Sequence, residues 1–165
     1  MVSGKLDNPS DAGTPDSHFK VTTLAERVTH SAEETTAFGR ELAPYLQGPC
    51  LVLLEGELGA GKTTLVKGIV AGLGAAEEEE VSSPTFALVH EYGSQGKVYH
   101  ADLYRIDGAR DVATLGLDDL GDAPATVLVE WGEKLGDNIP IPCARIRMEH
   151  LGSDDRRILV ERVEV

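Results

Sequence analysis

Between an apolar run, CLVLLE (Cys50 to Glu55), and a stretch with apolar residues at helical spacing, the chain carries GELGAGKT, Gly56 to Thr63. This segment satisfies the phosphate-loop pattern G-x-x-x-x-G-K-[ST] at every fixed position. The order constrains the fold strongly, because a buried strand must end in a glycine turn that opens directly into a helix. Cys50 to Glu55 is short and rich in leucine and β-branched side chains, and Lys62 to Leu73 places Leu65, Ile69 and Leu73 at helical spacing. In such a loop, successive backbone N–H groups and the positive helix end surround a phosphate, and Gly56, Gly59 and Gly61 leave room that a Cβ would take. Glu57, Leu58, Ala60 and the following Thr64 complete the expected nucleotide-binding segment. Lys62 is expected to reach the β- and γ-phosphates as a point charge, and the Thr63 hydroxyl to ligate Mg²⁺.

The chain has 165 residues with 41% hydrophobic content, which suits one domain with a real core. Residues 1–18 hold almost no large apolar side chains and are expected to be a flexible tail, with a single P-loop ATPase domain over 19–165. The apolar runs are too short to span a bilayer and the N-terminus lacks a signal-peptide layout, so a cytoplasmic location is expected. Cys50 and Cys143 are not paired by spacing and read as inert thiols of a reducing compartment, and the five histidines are scattered without metal-ligand spacing. A net charge of −13 argues that the chain alone does not grip nucleic acid. The Glu77 to Glu80 run reads as a solvated loop.

Phe19 to Leu24 alternates like a strand, and Ser31 with Glu34 forms a capping box for a helix running towards Leu46. Beyond the phosphate-loop helix, Ser82 to Tyr92 and Val98 to Arg105 read as a loop and a hairpin turning at Gly93 to Gly96. Ala109 to Leu117 is a short helix candidate and Thr126 to Trp131 a buried strand; Arg145 to His150 and Arg157 to Val163 form a second hairpin turning at Gly152 to Asp155. The expected fold is α/β, a P-loop NTPase-like three-layer arrangement whose mixed sheet carries antiparallel hairpins at its margins.

A Mg²⁺-nucleotide site also needs a carboxylate at the end of a buried strand, and LVEWGEK (Leu128 to Lys134) supplies Glu130; the competing reading is a strand-end glutamate facing solvent. Asp102 lies in a strand where Asp is disfavoured unless partnered, and it could serve Mg²⁺ through water or position an attacking water. Thr85 sits in a loop of the kind that puts a hydroxyl on the γ-phosphate, or is an ordinary turn threonine. Trp131 reads more readily as core than as a ligand stack, and Tyr92, Tyr99 and Tyr104 as packing. Asp118 to Gly121 spells D-x-x-G but follows no apolar strand and is assigned to a loop. With no N-K-x-D segment, ATP is favoured over GTP.

Taken in order, GELGAGKTT, SSPTFALVHEY, HADLYR and LVEWGEK resemble the signature of the TsaE (YjeE) family, the ATPase component of bacterial tRNA threonylcarbamoyladenosine biosynthesis, over roughly Ser31 to Lys134. The resemblance implies that Lys62 and Thr63 bind phosphates and Mg²⁺, that Glu130 and Asp102 serve metal and hydrolysis, that Thr85 belongs to a switch-like loop and that Trp131 joins the site. It further implies partners TsaB and TsaD, reset between turnovers by ATP hydrolysis, with tRNA engaged only indirectly and no membrane. No motif places an arginine on the γ-phosphate, although Arg105 and Arg110 are open candidates. Two other functions fit a chain of this kind: a small-molecule kinase, disfavoured by the sparse cations before Glu130, and a nucleotide-gated binding protein without essential turnover.

Overall fold

The computed structural model describes residues 20–84, 89–94, 97–106, 124–135 and 142–164. Within them, the strands are β1 (Lys20–Thr29), β2 (Cys50–Glu55), β3 (Val89–Tyr92), β4 (Val98–Asp102), β5 (Thr126–Glu130), β6 (Ala144–Gly152) and β7 (Asp155–Glu164). Two α-helices are described, α1 (Ala32–Leu42) and α2 (Lys62–Gly72). The strands form one mixed sheet in the order β1-β7-β6-β2-β5-β4-β3. The four central strands β6, β2, β5 and β4 are parallel, while β7, β1 and β3 pair antiparallel at the margins. The hairpins read from the sequence therefore stand at the edges, and the strand leading into the phosphate loop is the middle one.

Burial explains the apolar runs. Every residue of β5 is buried, and β2 is buried from Cys50 through Leu54, as expected of parallel strands covered on both faces. Leu54 lies opposite Glu130 on β5, and Glu130 lies opposite Asp102 on β4. Three parallel strands thus end together, bringing both carboxylates to the edge from which the loop at Gly56 departs. Such an edge is where open α/β sheets bind ligands.

The helices α1 and α2 cover one face, over a core that includes Phe38, Leu54, Leu65, Ile69 and Ile146. Their contact is made by glycines: a Cβ on Gly68 would stand 2.9 Å from the Thr36 carbonyl carbon, and one on Gly39 would stand 2.9 Å from the Ile69 nitrogen. On the other face a second cluster gathers Leu51, Leu53, Leu103, Val127 and Val129. The helix expected at Ala109 to Leu117, the D-x-x-G at Asp118 to Gly121 and the N-terminal tail lie outside the described residues.

Several boundaries differ from the sequence reading. The strand expected to end at Leu24 continues to Thr29, because β1 pairs with β7 through to Thr29↔Arg156 after a register shift between Thr23 and Ala25. A bulge reverses the in–out parity, and an edge strand that is mostly exposed shows little apolar alternation. The Ser31 hydroxyl accepts the Glu34 N–H at 3.1 Å, whereas the Glu34 carboxylate takes the N–H of His30, one residue before the expected position. α1 ends at Leu42 and tightens into a 3₁₀ turn over Ala43–Tyr45, since Pro44 has no N–H to continue the helix. Glu78–Glu80 also forms a 3₁₀ turn, and Glu78 pairs with Arg40 of α1. Cys50 and Cys143, not paired by spacing, stand side by side with their Cα atoms 5.4 Å apart. The partners are 93 residues apart, and what unites them is the parallel register of β2 and β6, which local sequence does not display.

Candidate functional site

The loop between β2 and α2 takes the shape its glycines permit. Gly59 and Gly61 adopt φ of +84° and +97°, a region that side chains with a Cβ rarely enter, and Gly61 caps the start of α2. The helix therefore opens with exposed N–H groups and a positive end directed into the loop. Lys62, the first residue of α2, is 5% exposed. Its ammonium donates to the carbonyls of Gly56 and Glu57, the latter at 3.0 Å, and stands 4.1 Å from the centre of the Trp131 ring. Burial lowers the pKa of Lys62, opposed by the negative charges of Glu130, Glu133 and Asp102. Burial also raises the pKa of the Glu133 carboxyl.

Glu130 is 3% exposed, which removes the reading of a strand-end glutamate facing solvent. The Thr63 hydroxyl donates to its carboxylate, at 3.1 Å from Oε1 and 2.9 Å from Oε2. His100 Nε2 lies 2.5 Å from Glu130 Oε2, and since a carboxylate can only accept, this nitrogen carries the proton. Asp102 has the partners its strand position demanded: Ser83 Oγ donates to Oδ2 at 2.6 Å and the Tyr104 N–H to Oδ1 at 2.9 Å. A hydroxyl at the helix start and a buried carboxylate at the strand end, a hydrogen bond apart, make an oxygen-rich donor set of the kind that suits Mg²⁺. The residues present therefore fit a Mg²⁺-nucleotide.

Lys62, Thr63, Ser83, Asp102, Tyr104 and Glu130 line a cavity of about 480 Å³ together with Leu58, Gly59, Ala60, Gly61, Thr64 and Trp131, and His100 lies behind Glu130. The structure thus gathers Lys62, Thr63, Asp102, Glu130 and Trp131 around one space, while Gly56 and Glu57 meet it through the carbonyls that hold Lys62. Thr85 lies outside the described residues. Trp131, read more readily as core, takes φ of +62° and turns its ring to Lys62 and, 5.2 Å away, to Tyr104. Tyr104, read as packing, is 46% exposed at the cavity wall.

Three contributors were missed. His100 is fully buried and sits two residues before Asp102, so period-two alternation puts it on the same face of β4; a histidine at an inward strand position was the available signal. Ser83 gave no signal beyond its polar loop. Arg156 lines the cavity from β7, although its neighbours Asp154, Asp155 and Arg157 make the segment look like a solvated turn.

The family model described as "Threonylcarbamoyl adenosine biosynthesis protein TsaE" matches residues 29–158, a span holding the phosphate loop, both carboxylates and Arg156. The chain belongs to the TsaE family. The TsaE protein of Treponema pallidum is 34% identical over 133 residues, covering 81% of this chain and 97% of that relative. The TsaE of Bacillus subtilis is 36% identical over 131 residues, covering 79% and 80%. The crystal structure of Bacillus subtilis YdiB matches with a TM-score of 0.69 at 31% identity, covering 88% of each chain. TsaE proteins serve tRNA threonylcarbamoyladenosine biosynthesis, and the fold of this family member is the P-loop NTPase-like α/β fold expected from its sequence. Among its described residues, no helix is long and apolar enough to cross a membrane.

Proposed function

We propose that this chain is a Mg²⁺-dependent ATPase of the cytoplasm that resets a TsaB–TsaD complex during formation of threonylcarbamoyladenosine beside the tRNA anticodon. The observation that carries the reading is the convergence of the Thr63 hydroxyl on the buried Glu130 carboxylate at 2.9–3.1 Å, beside the Lys62 ammonium. In this reading the N–H groups from Gly59 to Thr63 hold the β-phosphate of ATP, and Lys62 exchanges its loop carbonyls for phosphate oxygens. Thr63 and Glu130 would hold Mg²⁺, which supplies neutralising charge between the β- and γ-phosphates when bound. Asp102, fixed by Ser83 and the Tyr104 N–H, orients the attacking water. The water oxygen forms the new bond to Pγ, the bond from Pγ to the β–γ bridging oxygen breaks, the water's proton passes to an oxygen of the released phosphate, and ADP and phosphate leave. Tyr104 and Trp131, their rings 5.2 Å apart, form one wall of the cavity.

The acidity of the chain supports an indirect role towards tRNA, with partners supplying the nucleic-acid surface. The test is phosphate release from ATP by the purified chain, alone and mixed with TsaB and TsaD, with Lys62→Ala as the blank. Hydrolysis that rises on adding the pair supports the reading. Hydrolysis indifferent to the pair removes the reset role, and a rate equal to the Lys62→Ala blank under both conditions removes the ATPase.

A further inference from the structure

The sheet has a short joint near its middle. Among the described residues, β1 pairs only with β7, β7 also pairs with β6, and β6 alone ties this three-strand margin to the central strands by backbone pairing. The register of β6 on β2 runs from Val52↔Ala144 to Glu55↔Arg147, far shorter than the ladder between β1 and β7. Were this joint to open, it would bare the edge of β2, a strand buried from Cys50 through Leu54. An apolar edge with free N–H and C=O groups is a template for pairing with other chains.

The chain's two cysteines stand at the open end of that joint. Cys50 begins β2 and Cys143 immediately precedes β6. The Cys143 N–H donates to the Leu51 carbonyl at 2.9 Å, while its own carbonyl accepts from the Val163 N–H of β7 at 3.0 Å. Cys143 thus belongs to the margin and Cys50 to the phosphate-loop strand. Their Cα atoms are 5.4 Å apart, inside the range of about 4.4–6.8 Å that a disulfide spans, and both side chains pack into the core beneath the helices. They differ in access, since Cys50 is 6% exposed and Cys143 only half-buried. We propose that Cys50 and Cys143 form a reversible redox site, oxidised by small disulfides of the glutathione class to a latch that holds the β6–β7–β1 margin on β2.

The difference in access orders the chemistry. The Cys143 thiolate attacks one sulfur of the small disulfide, whose S–S bond breaks and releases one thiolate. The Cys50 thiolate then attacks the Cys143 sulfur of the mixed disulfide, forming the internal S–S bond and releasing the second thiolate. The two cysteine protons pass through solvent to the released thiolates, so the protein gives up two electrons and two protons and the small disulfide becomes two thiols. In a reducing compartment the pair rests as thiols, and the latch closes as the small-thiol pool is oxidised. Its partners are 93 residues apart, so closing the latch restricts the unfolded chain strongly and stabilises the folded one. The phosphate loop leaves β2 from the opposite end, and the inference does not rest on the reading of the site as one for ATP.

The test is incubation of the full chain in glutathione buffers from fully reduced to fully oxidised, read by mass spectrometry after thiol quenching, by urea titration and by amide hydrogen exchange. The parent is expected to lose two hydrogen atoms without keeping an adduct and to gain about 1 M or more in urea midpoint. Amides of β6, β7 and β1 should exchange about tenfold more slowly or beyond, and dithiothreitol should reverse all three effects. Cys50→Ala is expected to stop at a glutathione adduct on Cys143, Cys143→Ala to take up none, and neither to gain stability in oxidant. Thiols that stay free in excess oxidised glutathione overturn the proposal. So does an adduct on the parent that never resolves, or an internal disulfide that leaves the midpoint unchanged or lowers it. If Cys50→Ala does not fold, Cys143→Ala decides: a midpoint that rises in the parent and not in the variant is expected, and equal shifts overturn the latch.

Discussion

Glu130 is a carboxylate buried beneath a helix start, and its burial is tolerable only because Thr63 and His100 both donate to it. Replacing His100 by Leu keeps the volume near its own but leaves Glu130 Oε2 with only the Thr63 hydroxyl, which it shares with Oε1; a loss of about 1–3 kcal/mol is expected, read as a lower urea midpoint. Glu130→Gln keeps the size and one accepting oxygen while removing the charge. It is expected to retain ATP binding and to lose hydrolysis by about a hundredfold or more, measured as phosphate release at saturating ATP. Lys62 adds a pH signature. Its pKa in the free chain lies below the usual 10.5, because burial penalises the ammonium. A bound triphosphate favours the charged form and so raises that pKa, which means affinity is complete below the lowered value and declines as pH rises through the window between the free and bound values. Calorimetry across alkaline pH should show the decline with proton uptake on binding. Lys62→Met should bind weakly at every pH, without that decline.

Among the elements, the β2–loop–α2 unit was the most legible, because one run of sequence encodes the strand, the turn and the helix start. β4 and β5 were legible as strands, but the order β2-β5-β4 in which they lie was not, since it follows from crossovers that no local pattern states. The longer β1, the Cys50–Cys143 pair and Arg156 were illegible for a shared reason: each depends on the β6–β7–β1 margin folding back beside β2, a long-range register with no periodicity to announce it. The crossing of α1 and α2 carries its own test. Gly68 meets the Thr36 backbone so closely that Gly68→Ala must push the helices apart despite the better helix propensity of alanine. A net loss of about 1–3 kcal/mol is expected in denaturant titration, and a gain would show that the crossing has slack.

Across the whole molecule, acidic residues outnumber basic ones by 28 to 15. Lys62, Arg105 and Arg156 border the candidate cavity, which Asp102 and Glu130 also line. A chain of this net charge is expected to repel an extended nucleic acid. At physiological salt the purified chain is expected not to retain tRNA in an electrophoretic shift assay; retention by the chain alone would contradict the indirect role. The composition already carried this argument, whereas the clustering of cations needed the fold. The central claim is that turnover, and not nucleotide occupancy, is what the chain contributes to its partners. The most direct measurement is the number of threonylcarbamoyladenosine residues formed per TsaB–TsaD complex when the chain is supplied as Glu130→Gln with ATP and the threonylcarbamoyl donor. Arrest after about one round, against many rounds with the parent chain, is the predicted result; sustained rounds with Glu130→Gln would show that ATP binding alone suffices and would contradict the account.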